Sequence, residues 1–175
     1  MERNEVVLVN ENDEVIGTME KLQAHKMGLL HRAFSVFTFN KKDEMLIHRR
    51  AVDKYHCGGL WSNTCCSHPF LDETPIDGAK RRLNEEMGFT CELSFVDSFI
   101  YKVALDNGLI EYEFDHIFVG KYDDVPNPNP TEVGEWKYIS INQLLKEMDT
   151  NPNAFTYWFK KIIKERISNI QKAIQ

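Results

Sequence analysis

A thiol and an imidazole stand two residues apart at Cys66 and His68, inside the run WSNTCCSHP. An unpaired cysteine usually packs as a small hydrophobe, but beside an imidazole it can serve as acid, base or nucleophile. The same stretch runs on to Glu85-Glu86, placed just before Gly88. Two carboxylates in the last turn of a helix oppose its dipole, and a cation there relieves them. Further along, Glu111 and Glu113 are two residues apart in an apolar-rich run. In a strand both point to one face, where they repel unless a cation or a shared proton intervenes. With His25, His31 and His68 they would form a nitrogen and oxygen site for magnesium or a divalent transition metal. The histidines have no local metal-binding spacing, so each taken alone reads first as structural. A zinc site from Cys57, Cys65, Cys66 and His68 is a competing arrangement, without the usual C-x2-C spacing.

The elements that must hold these groups can be read from pattern. Residues 6–10 and 14–18 flank the polar turn ENDE and read as a hairpin, and 33–39 and 45–49 flank NKKDE as a second. Thr74-Pro75 opens a helix with a capping hydroxyl and a proline at its first position, and Gly88 closes it. Ile76, Ala79, Leu83 and Met87 recur on its apolar face. Residues 95–104 and 110–120 read as strands around an ALDNG turn, and DDVPNPNP as a surface loop. A short strand over 135–139 follows. Ser140 with Gln143 predicts a capping box for a helix to about Met148. From Phe155, the residues Trp158, Phe159, Ile162, Ile163, Ile167 and Ile170 mark a long amphipathic helix. His25 and His31 flank a short segment before a strand, and Cys66 and His68 fall in a loop. The result is one α+β domain over residues 1–175.

Bulk composition narrows the function. At 42% hydrophobic the 175-residue chain is globular, and its net charge of −6 argues against nucleic acid as a partner. It does not exclude a small phosphorylated ligand held by a local basic cluster. The N-terminus MERNEVVLVNEN has no apolar run suited to a signal peptide or membrane span, which predicts a cytoplasmic protein with no membrane partner. There the four cysteines are expected to be reduced.

Residues 67–89 resemble the Nudix box, G-x5-E-x7-R-E-U-x-E-E-x-G-U. Glu73, Arg81, Leu83, Glu85, Glu86, Gly88 and Phe89 fall on the pattern, while Ser67 replaces its glycine and Arg82 its first glutamate of the R-E pair. The glutamates of such a helix hold magnesium against a diphosphate. Exchanging one carboxylate for a guanidinium points to gripping a diphosphate rather than cleaving it.

The resemblance sharpens over LLHRAFSVFTFN, HRRAVDKY, GLWSNTCCSHP, Tyr101, IEYEFDHIF and NAFTYWF. These runs resemble the type 1 isopentenyl diphosphate isomerases from about Val6 to the final helix. The resemblance implies a Nudix-type fold, with mixed and antiparallel sheets flanked by helices. It implies exchange of isopentenyl and dimethylallyl diphosphate, with nucleotide or prenyl diphosphate hydrolysis as the alternative. His25, His31, His68, Glu111 and Glu113 would bind one divalent metal (Mg2+, Mn2+ or Zn2+), with Glu113 also carrying a proton. Cys66 would act from the other side of the substrate, Tyr101 would assist protonation, and Trp158 would face the cationic centre. Lys21, Arg50, Lys54 and Arg82 would hold the diphosphate, and Glu86 a magnesium ion bridging to it. The expected partner is a small prenyl diphosphate, and the expected state a monomer or weak homodimer.

Overall fold

The computed structural model describes residues 4–54, 56–105 and 107–175. Residues 1–3, Tyr55 at the end of HRRAVDKY and Asp106 in the expected ALDNG turn lie outside the described residues.

Strands β1 (Glu5–Val9) and β2 (Val15–Glu20) form the first hairpin. Its turn is built on Asn10, whose Oδ1 accepts from the backbone N–H of Asn12 and Glu14, with Asp13 at φ 61°. The second turn repeats this chemistry: Asn40 accepts from Lys42 and Glu44, with Asp43 at φ 56°. Both read N-x-x-D-E, and an aspartate tolerates the left-handed conformation the loop needs.

Between β2 and the next strand lies helix α1 (Lys21–Met27). It was not legible as a helix, because seven residues show no periodicity. It starts on the Glu20 carboxylate, which accepts from Leu22 and Gln23, and stops at Gly28 with φ 61°. A Cβ on Gly28 would come within 2.9 Å of Ile110, so the glycine also lets α1 approach the strand that carries the two glutamates.

Strand β3 (His31–Phe39) is the organising element. It meets β4 (Met45–Arg50) only at Thr38 and Phe39, so the second expected hairpin splays apart. The reason is that β3 has other partners. It pairs antiparallel with β6 (Cys65–Ser67) and, over nine residues, parallel with β8 (Ile110–Lys121). Cys66 therefore lies on a short strand rather than in a loop, and His68 follows it in a loop as expected. The remaining strands are β5 (Trp61–Ser62), β7 (Leu93–Ala104), antiparallel to β8, and β9 (Val133–Ile139), antiparallel to β4. The sheet is mixed, and helices cover it.

Helix α2 (Pro75–Met87) has the caps its sequence announces: Thr74 Oγ1 accepts from Asp77 N, and Gly88 sits at φ 74°. It packs Ala79, Leu83 and Met87 on Phe34, Val36 and Leu46. Helix α3 (Ile141–Thr150) begins at Ser140, which accepts from Gln143 N. The expected capping box is only half formed, because the Gln143 amide donates to Glu147 instead. Helix α4 (Tyr157–Ile174) buries Trp158, Phe159, Ile162, Ile163, Ile170 and Ile174 against Phe37, Phe39, Met45 and Ile47, whereas Ile167 is only partly buried. Two apolar layers thus sandwich β3 and β4, as central strands require. No helix among the described residues is long and apolar enough to cross a membrane.

Candidate active site

The deepest part of the site is a group of imidazoles and carboxylates. His25 comes from α1, His31 from the first position of β3, and His68 from the loop after β6. Parallel register places His31 opposite Glu113 on β8. Alternation along β8 turns Glu111, Glu113 and Asp115 to one buried face. His31 Nε2 and His68 Nε2 lie 3.7 and 3.0 Å from Glu113 Oε1, and His25 Nε2 lies 3.4 Å from Glu111 Oε2. Tyr101, opposite Glu113 on β7, donates its hydroxyl to Glu113 Oε2 at 2.6 Å.

The backbone decides which imidazole nitrogen faces the site. His25 Nδ1 bonds Lys21 O at 2.7 Å and His31 Nδ1 bonds Leu29 O at 2.8 Å. A carbonyl only accepts, so each Nδ1 carries the hydrogen and it is Nε2 that faces the site, with a lone pair when it holds no second proton. Lone pairs aimed at carboxylate oxygens repel, and either a second proton or a cation must sit between them. Burial pushes His68 down to about 4 despite Glu113 beside it, so at neutral pH it brings no proton charge of its own. Burial raises Glu113, but His31 and His68 outweigh it and hold the carboxyl well below the usual range. Burial lowers His25 but Glu111 outweighs it and raises the imidazole, so a proton or a metal ion competes for the same lone pair. Backbone-oriented imidazoles facing buried carboxylates are the donor set of a divalent metal centre. His25, His31, His68 and Glu113 have ligand atoms within 4.8 Å of one another, and so do His25, His56 and Glu111. Neither cluster contains a cysteine, so the competing zinc arrangement does not assemble among the described residues.

His56 is the site residue that sequence reasoning passed over. Its Nε2 lies 3.0 Å from Glu111 Oε1. A lone histidine in a loop between β4 and β5 gave no signal, because its glutamate partner is 55 residues away. Asp115 is the third buried carboxylate, accepting from Ser35 Oγ at 2.7 Å.

Cys66 reaches the site through the NTCC segment. Asn63 donates to Val36 O and Cys65 O, and Thr64 bonds the backbone of both Thr38 and Leu46. These side chains lock the crossing between β5 and β6 against β3 and β4. Alternation along β6 then turns Cys65 into the layer under α2 and Cys66 into the pocket. Desolvation pushes the Cys66 thiol up to about 12, with Arg50 pulling the other way. Ser62 Oγ lies 4.0 Å from the Cys66 sulfur and accepts from Trp158 Nε1 at 3.0 Å. That bond fixes the indole, over which the Arg50 guanidinium lies at 5.5 Å from the ring centre.

The outer part of the site is cationic. Lys21, Arg50, Lys54 and Arg82 line one cavity of about 550 Å³ with Cys66, Glu113 and Trp158. Burial holds Lys21 below its usual range, reinforced by Lys54 and Arg82. Lys54 and Arg82 share Glu132, a second residue with no signal in the sequence. It is presented by the 123–132 loop, which docks on the end of α2 through Asn127 N to Met87 O and Asn129 N to Glu86 O. The paired acids diverge. Glu85 stays on the surface with Arg81 and Arg82, and Glu86 is buried against Arg82, its carboxyl raised by burial. Glu73 is clasped by Arg81 at 2.6 and 2.9 Å and accepts from Phe70 N. The cations that offset this acidic helix end are therefore, in part, arginines of the helix itself.

Residues 29–159 match the NUDIX domain family. Solved structures share the fold at low identity. A Deinococcus radiodurans protein superposes with a TM-score of 0.77 at 19% identity, covering 91% of this chain and 97% of that one. A MutT protein from Methanosarcina mazei Go1 gives 0.66 at 16%, covering 83% and 96%. Closer in sequence are the isopentenyl-diphosphate Delta-isomerases of Pectobacterium atrosepticum, 50% identical over 91% of this chain and 89% of the relative, and of Burkholderia multivorans, 49% identical over 91% and 90%. The chain belongs to the isopentenyl-diphosphate Delta-isomerase family, within the Nudix fold.

Proposed function

We propose that the protein interconverts isopentenyl and dimethylallyl diphosphate by moving the C=C bond, adding a proton to one carbon and removing one from another. The observation that carries this reading is one cavity shared by the Cys66 thiol, the Glu113 carboxylate, the Trp158 indole and four cations. β6 and β8 both pair with β3, so Cys66 and Glu113 enter the cavity from different strands. Cys66 and Glu113 are the two groups that exchange protons with the substrate, one on each side of it. In the reverse reaction the two exchange roles. The Tyr101 hydroxyl steadies the second oxygen of Glu113 and serves that end of the transfer.

Protonating an alkene creates a tertiary cationic centre. The indole face of Trp158 suits it, worth about 1–2 kcal/mol in a dry site. Burial around Trp158 excludes water that would trap the cation as an alcohol. Lys21, Arg50, Lys54 and Arg82 hold the diphosphate, with Arg forks matched to phosphate oxygens. Glu86 would hold a magnesium ion at the diphosphate, an ion that takes few carboxylates and completes its shell with phosphate and water. His25, His31, His68, Glu111 and Glu113 would hold one Mg2+, Mn2+ or Zn2+. When bound, that metal relieves the repulsion of the two glutamates and acidifies what it touches. Hydrolysis is disfavoured because Arg82 stands where the Nudix box has a metal-binding glutamate. The net charge of −6 supports the absence of a nucleic-acid partner, and the same reading makes the protein a cytoplasmic monomer or weak homodimer without a membrane partner.

The test is incubation with isopentenyl diphosphate and magnesium, scoring the acid-labile isomer and free phosphate together. Isomer without phosphate, lost in Cys66→Ala and Glu113→Gln, is the expected result. Phosphate without isomer would establish a hydrolase instead.

A further inference from the structure

We infer that His56 is a positioning residue of the metal centre, holding one oxygen of Glu111 so that the other faces His25 and the metal. The inference rests on the reading of the His/Glu cluster as a metal site. Glu111 is 2% exposed and its two oxygens are divided: Oε1 lies 3.0 Å from His56 Nε2, and Oε2 lies 3.4 Å from His25 Nε2. A carboxylate free to rotate could offer either oxygen. One bonded on its far side by an imidazole N–H offers only the near one, and such partners of ligating groups contribute strongly to metal affinity.

The described residues around His56 are tied to the strands beside them. Gly59 N donates to Arg50 O at 3.0 Å and Arg49 Nε to Gly59 O at 2.8 Å. At Gly58 a Cβ would come within 2.4 Å of Val52 O, so the turn closes on a glycine. The Arg50 guanidinium bonds the His56 carbonyl at 3.4 Å, and the imidazole stands edge-on to Trp158 at 5.9 Å. His56 thus reaches Glu111 from the loop that also carries Lys54, on the cationic side of the cavity. His31 and His68 lie against Glu113, and His56 lies against Glu111.

The experiment titrates metal-free protein with Co2+, reading both affinity and the visible absorption of the bound ion, for wild type, His56→Ala, His56→Gln and Glu113→Gln. His56→Ala is expected to weaken binding about 10–100-fold. His56→Gln, whose amide can still donate to Glu111, is expected to recover most of the loss with an unchanged Co2+ spectrum, because the ligands themselves are the same. If the alanine variant does not fold, His56→Phe keeps a ring without the donor and is read in its place. Wild-type affinity in the variant that lacks the donor overturns the inference. An altered spectrum in His56→Gln overturns it differently, by making His56 a ligand. Failure of the wild type to bind Co2+, with Glu113→Gln indistinguishable from it, removes the metal centre and the inference together.

Discussion

The inner and outer halves of the site are built by opposite means. The inner His/Glu group is drawn from α1, β3, β8 and two loops, is almost wholly buried, and depends on strand register. The outer cationic group takes Lys21 from α1, Arg50 from β4, Lys54 from the loop after it and Arg82 from α2. In α2, Arg81, Arg82 and Glu85, three and four residues apart, stay partly exposed while Glu86 is buried. Charge in the inner half is set by desolvation and is sensitive to any lost partner. In the outer half it is shared among several groups and moderated by water. Chemistry that needs fixed protons and a dry cation belongs in the first, and reversible grip on a diphosphate in the second.

The sharpest way to break this contrast is to remove one of the two groups proposed to transfer protons. Cys66→Ala and Glu113→Gln are expected to lower kcat about 10²–10⁴-fold with little change in KM, read in steady-state isomer formation. A loss confined to KM would place both groups in binding instead. Metal removal comes next. Chelation should abolish turnover and lower Tm. A site saturated at about 100–1,000 times its Kd stabilises by roughly 3–4 kcal/mol, so calorimetry with and without metal would show it.

A third test uses acid. Burial depresses His48, bonded to Asn63 O at 2.8 Å, to about 4. Its ordinary value is near 6.5, so the folded state needs the neutral ring while the unfolded chain takes up the proton first. Its contribution is fully present above pH 6.5 and is lost as pH falls towards 4, up to about 3 kcal/mol. Urea unfolding across that window should show the decline, and His48→Gln should flatten it. The smallest effect is expected in the outer half. Glu132→Gln loosens only one counter-ion of Lys54 and Arg82. A few-fold change in KM that fades with added salt, at constant kcat, is the expected outcome. A large kcat effect there would dissolve the distinction between the halves.

Legibility in the sequence followed the same division. Helix α2, its caps and its acids could be read directly, since Thr74, Pro75, Leu83 and Gly88 act on neighbours within a turn or two. The hairpin turns, α4 and the E-x-E pair were visible for the same reason. Helix α1 was too short to show a period. The splayed second hairpin was hidden because β6, about 30 residues on, takes the edge of β3 that β4 leaves before Thr38. The Gln143 amide chose Glu147 over its expected cap, a choice between two local bonds of similar strength. His56 and Glu132 carried no signal at all, since each matters only through what lies opposite it.

By itself the sequence determined the local elements, the set of groups able to do chemistry and, through resemblance, the family. Only the tertiary structure decided which of two adjacent thiols faces the cavity and which nitrogen each of His25 and His31 presents. It also decided that His56 joins the inner group and that Glu86 turns inward while Glu85 does not. The physical reason is range. Caps, turns and helix faces are settled by neighbours along the chain, whereas burial, register and the pairing of charges are settled by whatever the rest of the fold brings alongside.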